Sequence, residues 1–253
     1  MVDLHIHTDF SPDGKNSIEE VIMQSKINGV GIIAISDHYD LVAGPYIFNK
    51  IADLKKYNET IDNYKREESE IKILKSLEFG IQSFISEELK DDYDFLLYSV
   101  HHTKKVFTDL PRDDTDLVWK LYLEEAVEAV KDIDHIGFYT HLDLMKRYLK
   151  NNPEVPKKYE HLVVELLKRI VKYDLGLEIN TAGWRMPFKE QQPKVWIIEK
   201  YFELGGRYIS IGSDSHNKKT IGCGYYQAVD LLKKIGINEI FYGEGGNYVR
   251  YGI

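Results

Sequence analysis

One cysteine, Cys223, is present in 253 residues. A lone thiol makes no intramolecular disulfide and leaves no thiolate cage for a structural zinc or an iron–sulfur cluster. No charged-then-apolar leader precedes the first strand-like run, so a reducing cytoplasm is the expected compartment. A basic excess is also missing: 33 Lys and Arg stand against 41 Asp and Glu, a net charge of −8. That balance argues against a nucleic-acid backbone or an anionic membrane as the main partner. No apolar run approaches the roughly 20 residues that span a bilayer. No Gly-rich dinucleotide loop follows the first strand-like segment, because HTDFSPDG lacks the spacing. With no repeat, low-complexity tract or Pro-rich linker, a single domain over 1–253 is expected.

What the chain does have is alternation from end to end. VDLHIH at 2–7 precedes an amphipathic stretch at 18–28 that stops at Asn28-Gly29. Strand-like runs follow at 31–36, 71–79, 94–100, 135–140, 176–180 and 207–213. Helix-like stretches at about 48–68, 84–92, 114–131, 158–173, 192–204 and 225–235 separate or follow them. Seven β-then-α units imply a parallel sheet with right-handed crossovers, either open and doubly wound or closed as a barrel. The tail EIFYGEGGNYVRYGI reads as a short added strand and an ordered terminus.

In VDLHIH, Val2, Leu4 and Ile6 alternate with Asp3, His5 and His7, so both imidazoles face one way. Alone, the pair fits a strand with one solvated polar face. The other strand ends argue otherwise. At or just after each stands an ionisable or ligand-capable group: His5 and His7, Asp37-His38, Glu78, His101-His102, His141, Glu178 with Asn180, and Asp214 with His216. In a parallel barrel these ends converge on one rim, where active sites of that architecture lie. His102 points to the other strand face, His135 opens a strand and His161 lies on a helix, positions that suit surface or supporting roles. Imidazole and carboxylate without thiolate suit Zn, Mn or Fe, and so many candidates exceed the three protein ligands of a mononuclear catalytic zinc. A hydrolytic site with about two to three divalent ions follows. With Glu78, Asp214 and Asp13 as its anionic ligands, such a site keeps a positive surplus suited to a phosphate dianion.

The ordered series HIHTDFSPDG, SDHYD, LEFG, SVHH, THLD and GSDSH resembles the PHP (polymerase and histidinol phosphatase) family over essentially the whole chain. LEINTAGWR followed by KEQQP resembles its histidinol-phosphate phosphatase branch. The resemblance implies an α/β fold, a distorted (β/α)7 TIM-like barrel, with a trinuclear metal centre. It puts His5, His7, Glu78 and Asp214 on one ion, has Glu78 bridge to a second held by His101 and His141, and gives a third to His38, His216 and Asp13. Many relatives have His where this chain has Asp13, a change that alters metal preference. Asp37 is expected to orient a ligand or a water.

The implied reaction is hydrolysis of a small phosphate monoester, L-histidinol phosphate to L-histidinol and phosphate in histidine biosynthesis, by a hydroxide bridging two ions. Asp214 or His216 would protonate the leaving alkoxide. Arg185 and Arg147 follow strand-end ligands and would clamp the phosphate, whereas Arg112, Arg169 and Arg207 read as surface charges. SEELKDDYD at 86–94 reads as a solvated helix face. The rival readings are a PHP phosphoesterase acting on a nucleotide or a nucleic-acid end, and a non-catalytic metal-binding or regulatory module. The acidic charge weighs against long nucleic acids, and the full ligand set against the module.

Overall fold

The β-branched runs form strands in a computed structural model of the protein, which describes residues 1–42, 51–89, 92–103 and 114–253. In chain order these are β1 (Val2–Ile6), β2 (Ile32–Ile35), β3 (His38–Asp40), β4 (Lys72–Lys75), β5 (Glu78–Gly80), β6 (Leu96–Ser99), β7 (Gly137–Tyr139), β8 (Gly176–Asn180) and β9 (Ile209–Gly212). All pair in parallel, in the orders β1-β2-β4 and β3-β5-β6-β7-β8-β9. The fold is therefore α/β with a parallel sheet. β1 and the segment after β9 meet through one isolated bridge, Ile6 to Ser215, closed by His7 N–H to Ser215 O (2.9 Å) and Ser215 N–H to His5 O (3.2 Å). Asp3 strengthens that junction by accepting from the N–H groups of Ser213 and Gly222, each at 2.8 Å.

One expected strand is followed by a further short strand, and another is broken in two. The run at 31–36 forms β2, and β3 starts beyond it at His38, after the Asp37 carboxylate turns away to accept from Thr8 N–H (2.7 Å) and Ser11 N–H (3.1 Å). The run at 71–79 breaks in the same layer, at Ser76-Leu77, and resumes at Glu78, which pairs with His38. Each restart places a ligand-type side chain at the first residue of the upper piece.

Helices cover the strands through apolar faces. α1 (Ile18–Asn28) starts in a capping box formed by Ser17 and Glu20. α2 (Leu54–Glu67) and α3 (Thr115–Ala129) are capped by Asp53 and Asp114. α4 (Glu160–Lys172) buries Val163, Leu166, Leu167 and Ile170, one stripe at helical spacing, each contributing about 1.5–3 kcal/mol of burial. α5 (Val195–Glu203) and α6 (Tyr225–Lys234) complete the set among the described residues. The helix expected over 84–92 does not form over 84–89, and 90–91 lie outside the described residues. Residues 84–88 are exposed and only Leu89 is buried, so that stretch has no apolar face to pack. The first residues of the helix expected from 48, and Arg112, also lie outside the described residues. No helix among the described residues is long and apolar enough to cross a membrane.

The tail forms two strands rather than one: β10 (Glu239–Glu244) and β11 (Asn247–Gly252) make an antiparallel hairpin. Its two-residue turn is Gly245-Gly246, at φ 55° and 74°, the left-handed values a primed turn requires. From β11, Tyr248 stacks on Tyr208 at 3.8 Å, and its hydroxyl lies 2.7 Å from Gly137 O and 2.9 Å from Asp174 O. These contacts fall at the starts of β7 and β8, the end of the sheet away from the ligand-type residues. Tyr248→Phe is accordingly expected to lower unfolding free energy by about 1–2 kcal/mol in urea titrations while leaving ion binding at wild-type level. Reduced ion binding would show that the two ends are coupled.

Candidate metal centre

Strand geometry lifts one residue per strand end into a common space. His5 leaves β1 on the face opposite to Leu4 and Ile6, which are buried against the helices, and His7 follows on the same side. His38 and Glu78 open β3 and β5. His101 lies two residues past β6, His141 two past β7 and Asp214 two past β9. His141 and Asp214 have positive φ, 24° and 53°. Left-handed backbone of this kind in non-glycine residues costs about 1–3 kcal/mol and is held by surrounding structure where a side chain must be aimed.

Glu78 is the centre of the constellation. Its Oε1 lies 2.8 Å from His141 Nε2 and 3.1 Å from His101 Nε2. Its Oε2 lies 3.0 Å from His38 Nδ1, 3.3 Å from His5 Nε2 and 3.4 Å from His7 Nε2. Asp214 Oδ1 stands 3.6 Å from His7 Nε2 and 3.8 Å from His5 Nε2. Asp13 Oδ2 is 2.9 Å from His216 Nε2 and 3.6 Å from His38 Nε2. Three sets of ligand atoms thus lie within 4.8 Å of one another: His5, His7 and Asp214; His38, Glu78 and His101; and His7, Asp13, His38 and His216.

The donor chemistry fits cations. The Nε2 atoms of His5 and His7 approach to 3.0 Å, where at most one proton can lie between two lone pairs. Asp13 Oδ1 is buried without a hydrogen-bond partner. Burial alone pushes the Glu78 carboxyl up, but His101, His38 and His5 outweigh it and hold the group well below the usual carboxylate range. Burial likewise depresses His5 and His38, and their carboxylate neighbours, Glu178 and Glu78 foremost, raise both well above the ordinary histidine value. His101 is pushed up to about 9 by Asp40 and Glu78 against the same burial. His7 is instead held well below, by burial and by His216 and His38 crowding it. Protons on His5, His38 and His101 therefore occupy the positions where divalent ions would compete for the same lone pairs.

Asp37 does not reach this space. Besides the two N–H groups it accepts from Thr8 Oγ1 (2.7 Å) and Ser11 Oγ (2.6 Å), so it fixes the 8–11 loop under His7 instead of orienting a ligand or water directly. His102 is buried, His161 is exposed on α4 and His135 is half-buried beside Asp134. Arg207 is exposed and paired with Asp174.

The two arginines at the rim differ. Arg147 is engaged through Nη1 to Asp214 Oδ2 (2.7 Å), Nη2 to Asn180 Oδ1 (2.9 Å) and Nε to Gln192 Oε1 (2.5 Å). Arg185 donates through Nη2 to Ser213 O (2.6 Å), while its Nη1 is buried with no hydrogen-bond partner. Sequence reasoning overlooked Asp40, 3.0 Å from His101 Nδ1, and gave Glu178 no task although it lies 2.7 Å from His5 Nδ1. The signal for Asp40 was its spacing, two residues past His38 on one strand.

Parallel strands delivering imidazoles and carboxylates to one end define an α/β protein with clustered metal-binding residues. The chain belongs to the PHP domain family, whose model matches residues 3–182. It is 32% identical to a probable histidinol-phosphatase of Thermotoga maritima over 95% of this chain and 94% of that protein. A probable histidinol-phosphatase of Clostridium acetobutylicum is 30% identical over 95% of this chain and 96% of its own length. The crystal structure of histidinol phosphate phosphatase from Lactococcus lactis, complexed with zinc, L-histidinol and phosphate, superposes with a TM-score of 0.80 at 24% identity over 98% of both chains. That last likeness shows the shared fold.

Glu78→Gln keeps the shape but removes the charge shared by five imidazoles. It is expected to lower bound transition metal, measured by elemental analysis after desalting, together with phosphatase activity. A fully loaded, active variant would remove Glu78 from the centre.

Proposed function

We propose that the chain is one metal-dependent phosphoric monoester hydrolase unit over 1–253 that converts L-histidinol phosphate to L-histidinol and phosphate. The observation that carries the reading is the division of Glu78, one oxygen toward His101 and His141 and the other toward His5, His7 and His38. A carboxylate shared in this way suits two ions on either side of it. His5, His7, Glu78 and Asp214 would hold one ion, Glu78, His101 and His141 a second, and His38, His216 and Asp13 a third. When bound, ions of the zinc, manganese or iron type supply Lewis acidity toward a phosphate ester and an activated water. The seven strand positions, counting β2 with β3 and β4 with β5, are read as a distorted (β/α)7 barrel with its seam between β9 and β1. The Ile6 to Ser215 bridge and the two hydrogen bonds to Asp3 support that seam.

The remaining groups take roles that follow from their surroundings. Arg185 Nη1, an unsatisfied donor on the guanidinium whose Nη2 lies 3.4 Å from Asp214 O, would receive a non-bridging phosphate oxygen. Arg147 would act chiefly by fixing Asp214 and Asn180, and secondarily as a second positive charge facing the phosphate. Asp214 or His216 would pass the leaving alkoxide its proton, through a water where an ion holds the ligating atom, and His216 is the more open of the two, its side chain 29% exposed against 5%. The named relatives are probable histidinol-phosphatases, and a small anionic ester accords better than nucleic acid with a net charge of −8.

Phosphate release from L-histidinol phosphate, AMP and a 3′-phosphorylated oligonucleotide tests the assignment: the first should be hydrolysed fastest. Preference for either nucleotide would transfer the chain to another branch of the family. Arg185→Ala should reduce kcat/KM for L-histidinol phosphate roughly 30-fold to 1,000-fold, about 2–4 kcal/mol, with unchanged metal content. Arg185→Lys should restore only part, since a point charge does not reproduce the planar fork. An Arg185→Ala enzyme within about threefold of wild type would remove the residue from the site.

A further inference from the structure

Two buried carboxylates stand behind the centre, and each reaches its histidine across an intervening strand at a glycine. In the order β3-β5-β6, Asp40 on β3 lies opposite Gly80 on β5 in the parallel ladder. Its carboxylate passes over that glycine to His101, which follows β6, with Oδ1 at 3.0 Å and Oδ2 at 3.3 Å from Nδ1. A Cβ on Gly80 would stand 2.0 Å from Asp40 Oδ1. The second crossing starts on β8. Glu178 passes over β9 at Gly212 to His5 on β1, with Oε1 at 2.7 Å from Nδ1. A Cβ on Gly212 would stand 2.3 Å from that Oε1 and 2.4 Å from His5 Cβ.

Both carboxylates take the Nδ1 side of the ring and leave Nε2 facing Glu78, at 3.1 Å for His101 and 3.3 Å for His5. The other oxygen of Glu178 accepts from Asn180 Nδ2 at 3.0 Å and from His141 N–H at 3.4 Å. Asp40 Oδ2 also lies 3.7 Å from His38 Nδ1. An imidazole that donates Nδ1–H to a carboxylate is fixed as the tautomer whose Nε2 lone pair is open to a cation, and its basicity rises.

We propose that Asp40 and Glu178 are positioning residues: each crosses one strand over a glycine to lock His101 or His5 in the orientation in which Nε2 ligates an ion. The inference rests on the metal-centre reading above. It does not depend on which phosphate ester is the substrate. Gly80 and Gly212 belong to the device, because only a residue without Cβ leaves the crossing open.

Zinc affinity measured by competition with a chromogenic chelator, with no substrate present, tests the proposal. Asp40→Asn and Glu178→Gln, both close to isosteric, should each weaken zinc binding about 10-fold to 100-fold while the chelated proteins unfold at the wild-type temperature. Gly80→Ala removes no ligand and no carboxylate, yet should weaken binding comparably. In an Asp40→Ala background, Gly80→Ala should add little, since both changes disable one contact. Wild-type zinc affinity in both Asp40→Asn and Glu178→Gln would overturn the proposal. So would a Gly80→Ala effect fully additive with Asp40→Ala, or a wild-type protein that binds no zinc. A zinc-binding protein that shows the expected pattern but hydrolyses no histidinol phosphate would support the positioning role and count against the substrate alone.

Discussion

A single buried carboxylate, Glu78, governs the upper end of this molecule. An ionised group so deeply buried costs several kcal/mol in desolvation unless opposite charge surrounds it, and removing one partner of a buried pair typically costs about 3–5 kcal/mol. Glu78 meets that demand with five imidazoles: His5 and His7 from the end of β1, His101 and His141 from the ends of β6 and β7, and His38 from the start of β3. The requirement runs in both directions. Burial first, and then the repulsion of His216 and His38 packed against it, drive His7 toward its neutral form. Cations held by these imidazoles and carboxylates would relieve both conflicts at once.

The rest of the fold divides according to that demand. The features that aim ligand-type side chains lie where the strands end: positive φ at His141 and Asp214, the close approach at Gly80, the Arg147 network. The opposite end carries the hairpin of β10 and β11 and its Tyr248 to Tyr208 stack, which tie down the strand starts. The apolar alternation of the strands meets the helix stripes on the outside. Rigidity supplied by this packing holds the ligand side chains close together without a disulfide.

Much of this was legible in the sequence because it rests on period and position. The two-residue period of VDLHIH put His5 and His7 on one face, and the order of strand ends gathered the histidines that the structure brings around Glu78. What escaped was set by tertiary contact. The interruption at Ser36-Asp37 goes with the turn of the Asp37 carboxylate toward Thr8 and Ser11, which no propensity encodes. Leu89 is buried, but its apolar neighbours Phe84 and Ile85 are exposed. Asp40 reads as an ordinary acidic residue, and Glu178 as a strand-end group without a task, until the strand order shows which histidine lies beyond the neighbouring glycine. Arg147 was legible as a rim charge; that Asp214 and Asn180 occupy it was not.

The most direct measurement is anomalous X-ray diffraction, recorded across the zinc absorption edge, on crystals of the protein loaded with zinc. The account predicts at least two anomalous peaks on opposite sides of Glu78, one contacting Oε2 with His5 and His7 and the other contacting Oε1 with His101 and His141. A single peak lying away from Glu78, or fully loaded crystals in which neither carboxylate oxygen touches an ion, would contradict it.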